Sequence, residues 1–176
     1  MPIQRAKPKF TDVKNVSIAA STMPAGSVIQ TVTGVNAGAT DTEVTITGIS
    51  GAYGATGFYV DITPTSTSNI IVVTGRAMGG TNYSDDGSYM ELFRKIGSGS
   101  AATTNSTEAW LGTDYHNNYA CMQVPILFYD STHNTTSTIR YELYLKSHSS
   151  YTSYLNRAQT LPMQGRTHLI AQEIKG

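Results

Sequence analysis

Short runs in which apolar and polar residues alternate recur along this chain, separated by clusters of Gly, Pro, Asn and Ser. In the clearest run, 138–146, alternate residues form an apolar set and a polar set: Ile139, Tyr141, Leu143 and Leu145 against Arg140, Glu142, Tyr144 and Lys146. A period of two places successive side chains on opposite faces of a β-strand. The run therefore predicts a strand with one buried face.

Further strand-like runs predict an all-β fold. They cover residues 27–33, 42–47, 58–62, 69–77, 89–96, 119–129 and 167–174. No helical period lies between them, so the crossover helices that a parallel sheet needs are missing. Thr and Ser occupy 42 of the 176 positions, and these residues suit strands and turns. We therefore expect an antiparallel β-sandwich or jelly roll over residues 24–176.

Polar and glycine-rich segments between the runs are expected to be loops. The longest are residues 78–88, 97–118 and 130–137. Four glycines at three-residue intervals, Gly48, Gly51, Gly54 and Gly57, echo the collagen repeat. They have no proline among them and are too few for a triple helix, so a flexible connector is predicted there.

Residues 1–23 form a separate segment by composition. Three prolines lie within the first 24 residues, which precludes a helix, and four cations against Asp12 give the segment a charge of +3. We predict an extended basic arm that attaches the body to a larger particle. Its candidate contact residues are Arg5, Lys7, Lys9, Phe10 and Lys14.

Several function classes are not supported by the sequence. The net charge is 0, so no overall basic field would hold nucleic acid or an anionic membrane. A single cysteine, Cys121, fits neither a disulfide nor a metal motif, and no apolar run is long enough to span a bilayer. No cofactor, metal site or common catalytic motif is found. Asp85, Asp86 and Glu91 faintly resemble a calcium loop, but a turn is favoured.

Two polar clusters rich in aromatic residues are candidate binding or interface regions. They contain Trp110, Tyr115 and Tyr119, and then Tyr151 and Tyr154. Aromatic rings beside amides and carboxylates are the groups that sugar recognition uses. Tyr and Trp are also common in cores and at subunit interfaces, and we favour that interpretation here.

Five segments resemble, in order, a domain found in tailed phages of cyanobacteria and marine bacteria. They are Pro24–Val32, Phe58–Val72, Leu92–Gly97, Pro125–Tyr141 and Leu169–Gly176. The resemblance implies a trimeric β-jelly roll on the virion surface, found at tail-fibre ends and in small structural proteins. It carries no catalytic residues.

The resemblance leaves two expectations for function. With 23 residues before the domain, we expect a non-enzymatic capsid decoration or cement protein, a homotrimer made in the host cytoplasm and bound to the major capsid protein. The alternative is a short tail-fibre or fibre-tip protein that is anchored to a tail adaptor and binds a host glycan. A polysaccharide depolymerase is a more distant third, because no convincing carboxylate pair is found.

Overall fold

The structure, a computed structural model, describes residues 19–36, 44–47, 52–81, 88–104, 109–111, 122–147, 152–156 and 166–176. Within these stretches the regular elements are β-strands, apart from one 3-10 turn at Ala20–Thr22. The strands are β1 (Val28–Thr33), β2 (Val35–Asn36), β3 (Val44–Thr47), β4 (Gly54–Ile62), β5 (Ile70–Thr81), β6 (Ser88–Ile96), β7 (Ala102–Thr103), β8 (Ala109–Leu111), β9 (Met122–Asp130), β10 (Ile139–Ser147), β11 (Thr152–Leu155) and β12 (His168–Ile174).

These strands form two antiparallel sheets. Sheet A has the order β1-β12-β5-β11-β3, and β9 pairs with the opposite edge of β5. Sheet B has the order β2-β4-β10-β6-β7, and β8 also pairs with β6. In the described part of the chain, β9 is therefore an edge strand of sheet A.

The pairings are nested. β1 pairs with β12, β4 with β10, β5 with β9 and β6 with β8, so the chain forms one long two-stranded ribbon. The ribbon is rolled so that β12 also pairs with β5, and β10 with β6. A rolled antiparallel ribbon of two sheets is a jelly roll, which confirms the predicted fold class.

The core lies between the two sheets, and β10 supplies its centre. The apolar set of β10 is no more than 1% exposed, as the alternation predicts. The ring of Phe128 in sheet A lies 6.1 Å from that of Tyr141 in sheet B. The other core residues come from both sheets: Phe58, Val60, Ile62, Ile71, Val73, Ala77, Met90, Leu92, Leu155, Leu169 and Ala171.

Some segments expected to be loops form strands instead. β5 continues to Thr81, and β7 and β8 lie within the expected loop 97–118; β2 and β11 were also not predicted. In β5, Gly79 pairs with Met122 on one edge and with Leu155 on the other. Glycine normally favours turns, but pairing on both edges satisfies its backbone groups and keeps the strand going.

The prediction of a flexible connector is wrong for its second half, which contains Gly54 and Gly57. Gly54 and Gly57 belong to β4, while Gly48 and Gly51 lie outside the described residues. Gly57 has φ +77° and lies where the pairing with β10 shifts register. Its N–H donates to the Glu142 carboxylate at 3.0 Å. Gly57 therefore forms a β-bulge, which a residue with a side chain would strain.

Candidate functional site: the ends and outer faces of the sandwich

One end of the sandwich is where the predicted arm joins the body, and we call it the arm end. There Val28, which begins β1, pairs with Ile174, which ends β12. Just before β1, the Gly26 N–H donates to the Lys175 carbonyl, and the Lys175 N–H donates to the Ser27 carbonyl, both at 2.8 Å. These bonds fasten the residues just before β1 to the residue that follows the last strand.

The predicted contact residues of the arm are outside the described part of the chain. They are Arg5, Lys7, Lys9, Phe10 and Lys14. The 3-10 turn at Ala20–Thr22 contains no buried residue. The arm and its boundary therefore stay predictions.

The opposite end, which we call the far end, carries the strand ends that flank the predicted aromatic clusters. Leu111 ends β8 opposite Ser88, and Met122 begins β9 opposite Gly79. Both pairs lie at the opposite end of their strands from the arm end. The sequence between Leu111 and Met122 contains two of the predicted aromatics.

The structure places two of the five predicted aromatic residues. Trp110 lies in β8, and its backbone is in register with Tyr89 of β6. Tyr154 lies in β11 and is only 9% exposed, so it packs within the protein rather than presenting its ring to a ligand. Tyr115, Tyr119 and Tyr151 lie outside the described residues.

A buried carboxylate joins the two sheets at the arm end. Asp130 ends β9 in sheet A, and its carboxylate accepts a hydrogen bond from the hydroxyl of Tyr141 in sheet B at 2.6 Å. Arg94 of sheet B donates to both carboxylate oxygens, at 2.9 and 2.8 Å. The Thr132 N–H donates at 3.0 Å from the turn after β9. The carboxylate is thus held by donors from three segments.

Burial and hydrogen bonding oppose each other at Asp130. Burial alone would raise its pKa, but the donors Tyr141, Arg94 and Thr132 outweigh burial and lower the pKa below the ordinary value. For Tyr141, burial raises the pKa, and the bond to Asp130 raises it further. The pair is therefore an ionised carboxylate and a neutral phenol at neutral pH.

A second buried carboxylate lies under the 63–69 loop. Glu173 of β12 is fully buried. One of its oxygens accepts bonds from the Thr65 N–H at 2.7 Å, the Thr65 hydroxyl at 2.9 Å and the Asn69 amide at 2.7 Å. The other accepts a bond from the Gln30 amide at 2.6 Å. Burial would raise the pKa of Glu173, but these donors lower it.

The Glu173 network extends to the 131–138 segment through a buried histidine. The His133 Nε2–H donates to the Asn69 carbonyl at 2.8 Å, and the Asn69 amide donates in turn to Glu173. The other ring nitrogen of His133 lies 3.0 Å from the Thr135 carbonyl. These contacts link the 63–69 loop and the 131–138 segment at the arm end.

The outer face of β9 exposes large apolar side chains. Leu127 is 76% exposed and Tyr129 is 58% exposed. They alternate with Ile126 and Phe128, which pack against the core. We call Pro125, Leu127 and Tyr129 the β9 strip. Because β9 is an edge strand in the described chain, the strip borders unpaired backbone groups.

The outer face of sheet B carries a cluster of aromatic rings. Phe93 and Tyr144 stack with their centroids 4.0 Å apart, and Tyr53 lies tilted against Phe93 at 5.3 Å. The Lys146 ammonium lies 4.7 Å from the centroids of both Tyr53 and Tyr89. The side chains of this face are half-buried because they pack against one another. They include both aromatic rings and charged groups.

A small polar cleft lies where sheet B meets the arm end. Its volume is about 170 Å³, and it is lined by Asp61, Lys95, Gly97, Thr138 and Arg140. Arg140 forms a two-pronged ion pair with Asp61, with distances of 2.8 and 2.9 Å. This hydrogen bonding raises the pKa of Arg140. The guanidinium lies 3.6 Å above the centre of the Tyr59 ring, which holds it in place.

The described residues contain no group of three or more side chains suited to hold a metal ion. Among the three residues that faintly resembled a calcium loop, Glu91 is buried in β6, and Asp85 and Asp86 are not described. No helix in the described chain is long and apolar enough to cross a membrane.

Sequence reasoning missed the buried carboxylates and the cleft. Glu173 did leave a signal, because the alternation of β12 places it on the same face as Leu169 and Ala171. An acidic residue at an inward position predicts a hydrogen-bonded network. Asp130 and Lys95 left no comparable signal, because their neighbours come from distant parts of the chain.

The sequence matches no protein-family model and no curated protein. The fold is similar to solved structures of infectious bursal disease virus. The Gt strain structure has a TM-score of 0.49 at 13% identity, over 99% of this chain and 42% of that chain. The Gx strain structure has a TM-score of 0.46 at 14% identity, over 92% of this chain and 41% of that chain. This chain thus spans less than half the length of these viral chains.

Proposed function

We propose that this protein is a non-enzymatic structural protein of a tailed-phage virion, a capsid decoration protein attached through its N-terminal arm. The observation that carries the proposal is the β9 strip. Leu127 and Tyr129 are well exposed on an edge strand, and exposed apolar patches mark surfaces that other proteins cover. The five segments that resemble the phage domain support the same assignment.

The strip supports a homotrimer in which each β9 contacts a neighbouring copy. A contact between two different patches closes into a ring when the rotation between the subunits is one third of a turn. The β9 strip carries no charged residue, so its burial incurs no charge desolvation cost. The trimer would cover the apolar face that the monomer leaves in water.

The buried acidic groups support a role without chemistry. Asp130 and Glu173 are held by protein donors on both oxygens. A catalytic acid or base needs an oxygen that can reach a substrate. These carboxylates are better suited to fixing the loops of the arm end, where we propose that the protein meets the major capsid protein.

Gold labelling of the protein on virions, imaged by electron microscopy, tests this function. We expect label over the capsid, and we expect it to disappear when residues 1–23 are deleted. The deletion removes no residue of a described strand, so far-UV circular dichroism should stay unchanged. Label at the tail, or capsid label that survives the deletion, would contradict the proposal.

A tail-fibre tip that binds a host glycan is the second candidate. The aromatic rings on the outer face of sheet B favour it, since Tyr53, Phe93 and Tyr144 form one cluster. Such a protein would be anchored to a tail adaptor by the same arm. Label at the tail, together with binding to a glycan array, would support this candidate.

A further inference from the structure

The partly exposed charges at the arm end are mostly positive. Lys95 lies one residue before the end of β6 there and Lys175 follows β12, in addition to the predicted arm with its charge of +3. The carboxylates of Asp130 and Glu173 are buried and bonded within the protein. Asp61 is held in an ion pair. In the described chain, this end therefore presents cations without a matching set of free anions.

Two of the cations face each other across a strand pair. Lys95 and Arg140 are directly opposite in the pairing of β6 with β10. Like charges in this position destabilise a sheet unless an anion lies between them. Asp61 pairs with Arg140 on the other side, through β4. The side-chain ammonium of Lys95 has no hydrogen-bond or ion-pair partner among the described residues.

Arg140 is held so that one of its nitrogens stays available. Its Nε and Nη2 donate to the two oxygens of Asp61, and its guanidinium lies on the Tyr59 ring. In the described part of the chain, nothing accepts a hydrogen bond from Nη1. The cleft that Arg140 and Lys95 line thus combines a fixed guanidinium edge with an ammonium on a flexible stem.

We infer that this cleft binds a carboxylate group. Arg140 Nη1 and Lys95 Nζ would donate to it, and the cation of Lys95 would be neutralised. The ligand is a protein side chain, Asp or Glu of the virion protein under the arm end, since this end carries the attachment arm. The identity of that partner rests on the proposed function, whereas the chemistry of the cleft rests on its own residues.

Titration of the purified full chain with N-acetylaspartate, followed by NMR, tests the chemistry. We expect shifts at Lys95 and Arg140, and smaller ones with N-acetylasparagine amide, in which both carboxylates of N-acetylaspartate are replaced by amides. Lys95→Gln should weaken binding by about fivefold, as for one partly exposed ion pair. Asp61→Asn should strengthen it, because it removes the competing carboxylate.

Lys146→Gln is the matched control, because it removes the same charge from the same face of sheet B near the far end. It should bind N-acetylaspartate like the parent. Equal binding of both probes, or a Lys95→Gln protein that binds like the parent, would overturn the inference.

Association with virions separates the two proposals. If the parent decorates capsids, Lys95→Gln should bind them about fivefold more weakly, whereas Lys146→Gln should bind like the parent. Unchanged decoration by Lys95→Gln would overturn the partner assigned to the cleft and leave the decoration function standing. A parent that binds N-acetylaspartate but not virions would overturn the decoration function instead.

Discussion

The Asp130 carboxylate at the end of β9 accepts a 2.6 Å hydrogen bond from the hydroxyl of Tyr141 in the centre of the opposite sheet. The bond crosses the core at the arm end, and Arg94 makes a second link between the same two sheets. Apolar contacts tolerate small sliding of one sheet over the other, whereas hydrogen bonds demand a fixed geometry. The pair therefore fixes how the sheets are aligned.

Tyr141→Phe should lower the free energy of unfolding by about 1–3 kcal/mol, because Asp130 stays buried and loses one donor. Urea denaturation followed by circular dichroism measures this loss. Tyr144→Phe is the control, since Tyr144 lies on the outer face of sheet B and is less buried. Equal losses in the two variants would show that the hydroxyl of Tyr141 contributes nothing specific.

Acid should destabilise the protein through Asp130 and Glu173. Both groups have a pKa below the ordinary value in the folded state, so the unfolded chain binds more protons. The stability they provide is present above the ordinary pKa values of 3.8 and 4.5, and it is lost as pH falls through the lower folded values.

Denaturation midpoints measured from neutral pH down to about pH 2 should reveal this loss. Glu173→Gln should be less stable at neutral pH and should show a shallower fall in acid, because one of the two groups no longer titrates. A parent and a variant with parallel pH profiles would contradict the role of Glu173.

If the protein is the proposed homotrimer, Leu127→Asp should convert it into monomers. The new carboxylate would be buried without a partner at each contact between copies, which costs several kcal/mol. Light scattering should give three times 18.9 kDa for the parent and 18.9 kDa for the variant. Thr136→Asp adds the same charge to an exposed loop and should stay trimeric. A parent that is already monomeric would refute the trimer.

Trp110→Ala distinguishes packing from ligand binding at the far end. If Trp110 packs within the trimer, its truncation should lower stability by about 3–5 kcal/mol, as for other buried tryptophans. Thermal melting together with adsorption to host cells measures both effects. A variant that melts like the parent but no longer adsorbs would favour the fibre-tip alternative.

The sequence predicted the structure best where an element is defined by a local pattern of apolar and polar residues. The alternation in 138–146 identified β10 and its buried face, because each residue's side depends only on its position in the strand. Very short strands such as Ala102–Thr103 have no period to detect. Ala102–Thr103 forms a strand because its backbone pairs with an edge of β6, and the local sequence does not reveal that pairing.

The hydrogen-bond networks of Asp130 and Glu173 could not be predicted from the sequence for the same reason. Arg94 and Asp130 are 36 residues apart, and Gln30 and Glu173 are 143 apart. Their partnership depends on how the ribbon is rolled, and the composition of either segment does not reveal it. The cleft at Lys95 likewise needs three strands in register before its residues meet.

The nested pairing of the strands also dictates when the arm end can form. β1 has to wait for β12 as its partner, although more than a hundred residues separate them. Contacts between such distant residues form late and slowly, since a long loop must close first. During synthesis, the inner strand pairs of the ribbon can form while the chain is still attached to the ribosome. The surface at the arm end is therefore completed only once β12 has been synthesised, so a chain that lacks β12 presents an unfinished surface at this end.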